Sequence, residues 1–157
     1  MSAIDYKGIR DLTETILNEA VGNDGDLEGC RVYVEEEPQI GLNDTRAAIA
    51  VFLGDRTAAG VEQRIAAGLR QRYHLQLEIW VLAFDLESYR AACDKRDAVL
   101  GALELLLMEQ RSRFSDEALA DFVQLDGGVI FSARNADNTV FTAVAELVTT
   151  LQVTAIV

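Results

Sequence analysis

Residues 74–84, HLQLEIWVLAF, alternate strictly between two faces. In an extended strand Leu75, Leu77, Ile79, Val81 and Ala83 point one way, and His74, Gln76, Glu78, Trp80, Leu82 and Phe84 point the other. The first set is wholly apolar, so a second layer has to pack against it. The second set is polar at one end and aromatic at the other. This strand runs straight into a long helical segment, LESYRAACDKRDAVLGALELLLMEQ. There Tyr89, Ala92, Cys93, Val99, Leu100, Leu103, Leu106 and Leu107 make a wide apolar stripe, with Asp85 or Ser88 as candidate cap. The segment that follows ends in a β-hairpin. Its arms are residues 123–135, interrupted at Asp126-Gly127-Gly128, and residues 139–157, joined by a turn at Asn135-Ala136-Asp137-Asn138. A second arm this long and apolar has to pair with something.

The rest of the chain fits around that block. Ile4, Ile9, Leu12, Ile16, Leu17, Ala20 and Val21 recur at helical spacing, and Gly22-Asn23-Asp24-Gly25-Asp26 stops the helix. Residues 30–34 read as a short strand ending near Pro38, the single proline. Residues 45–53, TRAAIAVFL, read as a strand apolar on both faces. The segment GDRTAAGVEQRIAAGLRQR reads as a long connection with strand-like ends, joining 45–53 to 73–84 as an antiparallel pair. SDEALADF at 115–122 reads as a helical turn capped by Ser115. The predicted order is α-β-β-β-α-β-β. That is an α+β fold in which a mostly antiparallel or mixed sheet is packed by an N-terminal helix and one long helix. With 157 residues, half of them hydrophobic, one domain spanning 1–157 is expected to build its core without metal or disulfide help.

The formal net charge of −12 argues against a surface that binds nucleic acid, which needs Lys and Arg to neutralise phosphates. It is compatible with a wall that DNA passes without binding. The N-terminus lacks a basic stretch followed by an apolar run, and no run of about 18 apolar residues is present, so neither a secretory signal nor a membrane span is expected. Cys30 and Cys93 both sit in apolar patterns and read as free buried thiols. A cytoplasmic site of synthesis follows.

Catalytic chemistry is hard to assemble from these residues. The single histidine, His74, reads as a strand-start surface residue. Gly54-Asp55-Arg56-Thr57-Ala58-Ala59-Gly60 lacks the Gly-Lys-Ser/Thr that cradles phosphates. Asp94-Lys95-Arg96-Asp97 reads as surface i,i+3 ion pairing or an intersubunit contact. Glu35-Glu36-Glu37 is the densest acidic run. If it stays on a strand, only Glu35 and Glu37 share a face, forming either a solvated strand end or a charged assembly surface. No catalytic, cofactor-binding or metal-ligating set is expected, and no cofactor.

The order of elements is more telling than any motif. An N-terminal helix precedes a short strand near a proline, and a hairpin with a long connection follows. The strand exit Trp80-Val81-Leu82-Ala83-Phe84-Asp85 leads into Tyr89-Arg90-Ala91-Ala92-Cys93-Asp94, a Leu-rich helix and a closing apolar hairpin. Over nearly its whole length this pattern resembles the tail terminator (tail completion) proteins of long-tailed bacteriophages and related phage-like particles. The likeness rests on topology rather than on motifs. It implies a non-enzymatic virion protein assembled in the host cytoplasm, a homo-oligomeric ring with a hexamer as the expectation. Such a ring caps the tail tube, ends tube polymerisation and meets the head–tail connector, with DNA passing through its lumen without sequence-specific binding. Asp55, Arg56, Arg64, Arg70 and Arg72 would then contact tube or neighbour, and Glu35, Glu36 and Glu37 would form an acidic assembly or lumen surface. Trp80, Leu82 and Phe84 would belong to core or interface. Another neck, head–tail joining or tail-tube component, or a small ligand-binding α+β domain, are the alternative readings.

Overall fold

The computed structural model describes residues 3–39, 45–58, 63–65, 68–134 and 141–156. The fold is α+β, with a mixed six-stranded sheet carrying two main helices on one face. The expected order holds, with one short strand and one short helix added.

Helix α1 (Tyr6–Val21) starts where Asp5 Oδ1 accepts a hydrogen bond from Gly8 N at 2.8 Å. It buries Ile9, Leu12, Ile16 and Leu17. Strand β1 (Arg31–Val34) runs parallel to β2 (Ala48–Ala58). β2 is antiparallel to β4 (Gly68–Asp85), and the short β3 (Gln63–Ile65) pairs with the first residues of β4. Within the sequence stretch 54–72, expected to be a long connection with strand-like ends, the described residues 54–58, 63–65 and 68–72 are therefore strand. Pairing along β4 overrides the weak strand propensity of its Gly, Ala and Arg residues.

Helix α2 (Tyr89–Gln110) follows β4 at once. Ser88 Oγ accepts from Ala91 N at 3.0 Å, so Ser88 is the cap. Asp85 closes the turn before it, accepting from Glu87 N at 2.7 Å and pairing with Lys95 Nζ at 3.0 Å. Helix α3 spans Ser112–Asp116, earlier than the expected 115–122. Ser115 is inside it rather than its cap, and its hydroxyl donates to Ser112 O. The anchor is Phe114, which is buried and draws the turn onto the core.

β5 (Phe122–Arg134) and β6 (Phe141–Ile156) form the expected hairpin. Gln124 faces Thr150 and Gly128 faces Val148, so the break foreseen at Asp126-Gly127-Gly128 is a bulge. The turn foreseen at 135–138 lies outside the described residues. The sheet order is β1-β2-β4-β6-β5. β6 is thus internal, paired with β4 from Arg70↔Ile156 to Asp85↔Phe141 and with β5 on its other side. It is not a strand a neighbour could extend; the edge strands of that order are the short β1 and the long β5.

The odd-numbered residues of β4 face the helices as the alternation required. Leu75, Leu77, Ile79, Val81 and Ala83 are all buried, beside Ile49 and Val51 of β2 and Ala145, Leu147, Leu151 and Val153 of β6. Val99, Leu100, Leu103 and Leu107 of α2 complete a single core cluster with the α1 residues. Both long helices contribute to that one cluster. The even-numbered face of the sheet has no helix on it among the described residues.

Candidate functional site on the open sheet face

Registers fix what the open face displays. One row across the sheet reads Arg31, Ala48, Leu82, Val144, and the next reads Tyr33, Ala50, Trp80, Glu146, Ile130. A third pairs Phe52 with Glu78 and Glu78 with Val148. Farther along β4 the same face carries Gln76, His74, Arg72 and Arg70, while Phe84 stands at the other end.

β2 contributes alanines, Ala48 and Ala50, to this face, which leaves room above them. The chain after β1 uses the opening. Arg31 donates to Gln39 O at 2.8 Å and to Arg46 O at 3.0 Å, and the Tyr33 hydroxyl donates to Gln39 O at 3.0 Å. The Arg31 guanidinium also lies over the Phe84 ring, 5.9 Å from its centroid, and Phe84 is fully buried. These bonds hold residues 36–39 above the sheet. Between that segment and the strands is a cavity of about 390 Å³, lined by Glu37, Pro38, Phe52, Trp80, Leu82 and Val144. Trp80 and Leu82 are half-buried in its floor and wall.

Two carboxylates are neighbours of Trp80 on the same face of the sheet. Glu146 lies directly across from Trp80, and Glu78 sits diagonal to it, one row on. Burial, and then repulsion from Glu78, raise the Glu146 pKa above the ordinary glutamate value. Next to Glu78, Gly54 leaves room for the Glu78 carboxylate. A Cβ there would come within 2.9 Å of Glu78 Oε1.

The residues expected to act together are dispersed. The acidic run leaves the strand at Val34, so strand alternation does not govern it. Glu35 takes a left-handed conformation (φ 52°) and bonds the edge of β2 just past the end of β1, accepting from Leu53 N at 2.8 Å. Glu36 is exposed, and Glu37 alone reaches the cavity. Asp55 sits exposed where the β2–β4 register shifts. Arg56 faces the helices. Its guanidinium stacks 4.5 Å from the Tyr73 ring centroid and donates to the Tyr6 hydroxyl at 2.7 Å, a clamp within the chain. Arg64 stands opposite Leu69 on β3, and its side chain lies outside the described residues. Arg70 and Arg72 share the open face, Arg72 exposed and Arg70 half-buried. His74 is exposed in the middle of β4 rather than at a strand start.

Other groups also turn out differently from their expected roles. Lys95 bonds Asp85 and Phe84 O, and Arg96 pairs with adjacent Asp97 and stacks 4.8 Å from the Phe131 centroid, so the ion pairs these two cations make are not the i,i+3 pairs expected for Asp94 to Asp97. Cys30 is buried, Cys93 half-buried, and both are free thiols. A second cavity, of about 320 Å³, touches Cys30, Arg46 and Lys95, but burial pushes the Cys30 thiol up, away from the thiolate a nucleophile needs. Among the described residues no group of three or more His, Cys, Asp or Glu is placed to hold a metal ion.

The open-face set was half visible in sequence. Alternation puts Glu78, Trp80 and Leu82 together, but the pairing of Trp80 with Glu146 and the return of Glu37 above them depend on register and loop path. No helix among the described residues is long and apolar enough to cross a membrane. No protein-family model matches the chain, and no curated protein matches it in sequence.

Proposed function

We propose that this chain is a structural assembly protein of the tail-terminator type, non-enzymatic, working as a homo-oligomeric ring in a phage or phage-like particle. The ring, with six copies as the expectation, would cap the tail tube, stop its growth and present its other side to the head–tail connector. DNA would pass through the lumen.

The observation that carries this reading is one-sided packing. A long sheet has both main helices on one face, while the other face keeps Trp80, Leu82 and Val148 half-buried and Ile130 60% exposed. Such a face, flanked at β1 and β5 by edges that carry no further strand among the described residues, suits burial against further protein. The net charge of −12 suits a lumen that does not retain DNA. A heterologous contact that closes on itself gives a ring.

The decisive experiment is a particle made without the protein. Overlong, headless tails are expected, whereas tails of normal length would sink the terminator role and favour another neck or tube component. Sizing of the purified protein with tube protein present tests the ring itself, and a monomer under those conditions counts against it. The cavity of about 390 Å³ favours the second reading, a small ligand-binding domain, over any catalytic one.

A further inference from the structure

We infer that the cavity beneath residues 36–39 is a docking site for the side chain of an arginine supplied by a partner protein. The cavity belongs to this chain alone, so the inference stands apart from ring formation. Its floor offers the indole of Trp80 and the ring of Phe52, its walls are Leu82, Val144 and Pro38, and its rim carries the Glu37 carboxylate. An aromatic face beside a carboxylate attracts a cation twice, through the ring quadrupole and through direct ion pairing. Glu146 and Glu78 are neighbours of Trp80 on the same sheet face. Among the described residues no ion pair reaches Glu37, Glu78 or Glu146.

Arg31, the cation in the same cross-strand row as Leu82 and Val144, is already engaged. Arg31 spends its terminal donors on Gln39 O and Arg46 O and its plane on Phe84. It builds the cavity roof instead of filling the cavity. A guanidinium suits the space better than an ammonium. It is planar, stacks on indole, forks onto a carboxylate and is less strongly hydrated, so entering a partly apolar cavity costs it less. A cation inserted there would also relieve the repulsion between Glu78 and Glu146. The occupant should be part of a protein because the apolar Val148 and Ile130 lie on the same sheet face, across from Glu78 and Glu146, and a free cation would leave them uncovered. An acidic chain of net charge −12 further selects a basic partner segment over nucleic acid.

Trp80 is the single tryptophan of the chain, so its fluorescence reports on the cavity without labelling. The probe is an acetylated leucine-arginine-leucine-arginine amide, compared with the same peptide carrying citrulline for arginine. The arginine peptide should shift Trp80 emission saturably at low salt, and the citrulline peptide should bind about ten-fold more weakly or not at all. Glu37→Gln, at an exposed position that leaves the fold intact, should weaken the arginine peptide about five-fold. The inference is overturned if citrulline binds equally well, if Glu37→Gln changes nothing, or if no shift develops at millimolar peptide. It is also overturned if tetramethylammonium competes as well as the peptide, which would make the cavity a small-cation site. A shift driven by protein concentration alone would overturn it as well, because a second copy would then be the occupant.

Discussion

The two faces of one sheet follow different rules. On the helix side the inward positions of β4 from Leu75 to Ala83 are small or branched aliphatic residues, and Ile79 and Leu147 are 0% and 1% exposed. Two positions away in space, on the open side, the same strands hold Trp80, Glu78 and Glu146. The first face is specified by volume and apolarity, and its residues could be exchanged among aliphatics at modest cost. The second combines aromatic rings, carboxylates and a segment bonded down by Arg31 and Tyr33, an arrangement that a fold does not require for stability. The difference teaches where to look for function: the helix face explains why the chain folds, and the open face has chemistry left over.

That contrast can be broken or sharpened by measurement. The largest effect is expected from deleting residues 151–157. β6 is internal, so the deletion strips Leu151 and Val153 from the core and unpairs β4 from Arg70 to Leu75. Circular dichroism should show loss of the folded state, and a deletion that still unfolds cooperatively at the wild-type midpoint would refute the internal placement. Next comes Ile79→Ala, which should cost about 2–5 kcal/mol in urea unfolding. Leu82→Ala, one pleat away on the open face and only half-buried, should cost about 1 kcal/mol or less. Equal losses at the two sites would mean that the open face is as much a core as the other.

A pH series distinguishes the faces by sign. Glu146, its pKa raised, binds its proton more tightly folded than unfolded. Its ionisation therefore lowers stability as pH rises from the unfolded glutamate pKa through the higher folded one. Asp85, at the start of α2, is shifted down, first by the hydrogen bond from Glu87 N and then by Lys95. Its contribution is present above the unfolded aspartate pKa and is lost as pH falls through the folded value. Glu146→Gln should thus raise the urea midpoint at pH 7 and leave it unchanged below pH 4, whereas Asp85→Asn should lower it at pH 7. The reverse pattern would mean that the environments of the two carboxyls are misassigned. The smallest effect belongs to Arg56→Ala. Losing the stack on Tyr73 and the bond to Tyr6 should cost about 0.5–1 kcal/mol, seen as a small drop in midpoint.

Much of the helix face was legible in the residues themselves. The alternation of 75–83 and the stripe from Ala92 to Leu107 carry their periods openly, and Ser88 and Gly128 mark the cap and the bulge. What stayed hidden depends on pairing between distant segments. Nothing local says that β6 slots between β4 and β5, or that β2 runs on to Ala58 and Gln63–Ile65 become strand once β4 lies beside them. Ser115 looked like a cap because the pull of buried Phe114 is tertiary. Of the open face, Trp80 and Glu78 could be placed by alternation. Glu146 needed the register and Glu37 the path of the chain after Val34, while Arg56 turned inward to meet aromatic rings far away in sequence.

The central place of β6 has a kinetic consequence. β4 and β6 join residues as distant as Arg70 and Ile156, so their pairing has to wait for a large loop to close. Until it does, β4 exposes a long row of unsatisfied amides whose best complement is a β6 strand, and that strand can come from another copy. Refolding at high concentration should then trap dimers that have exchanged β6 and relax slowly on dilution.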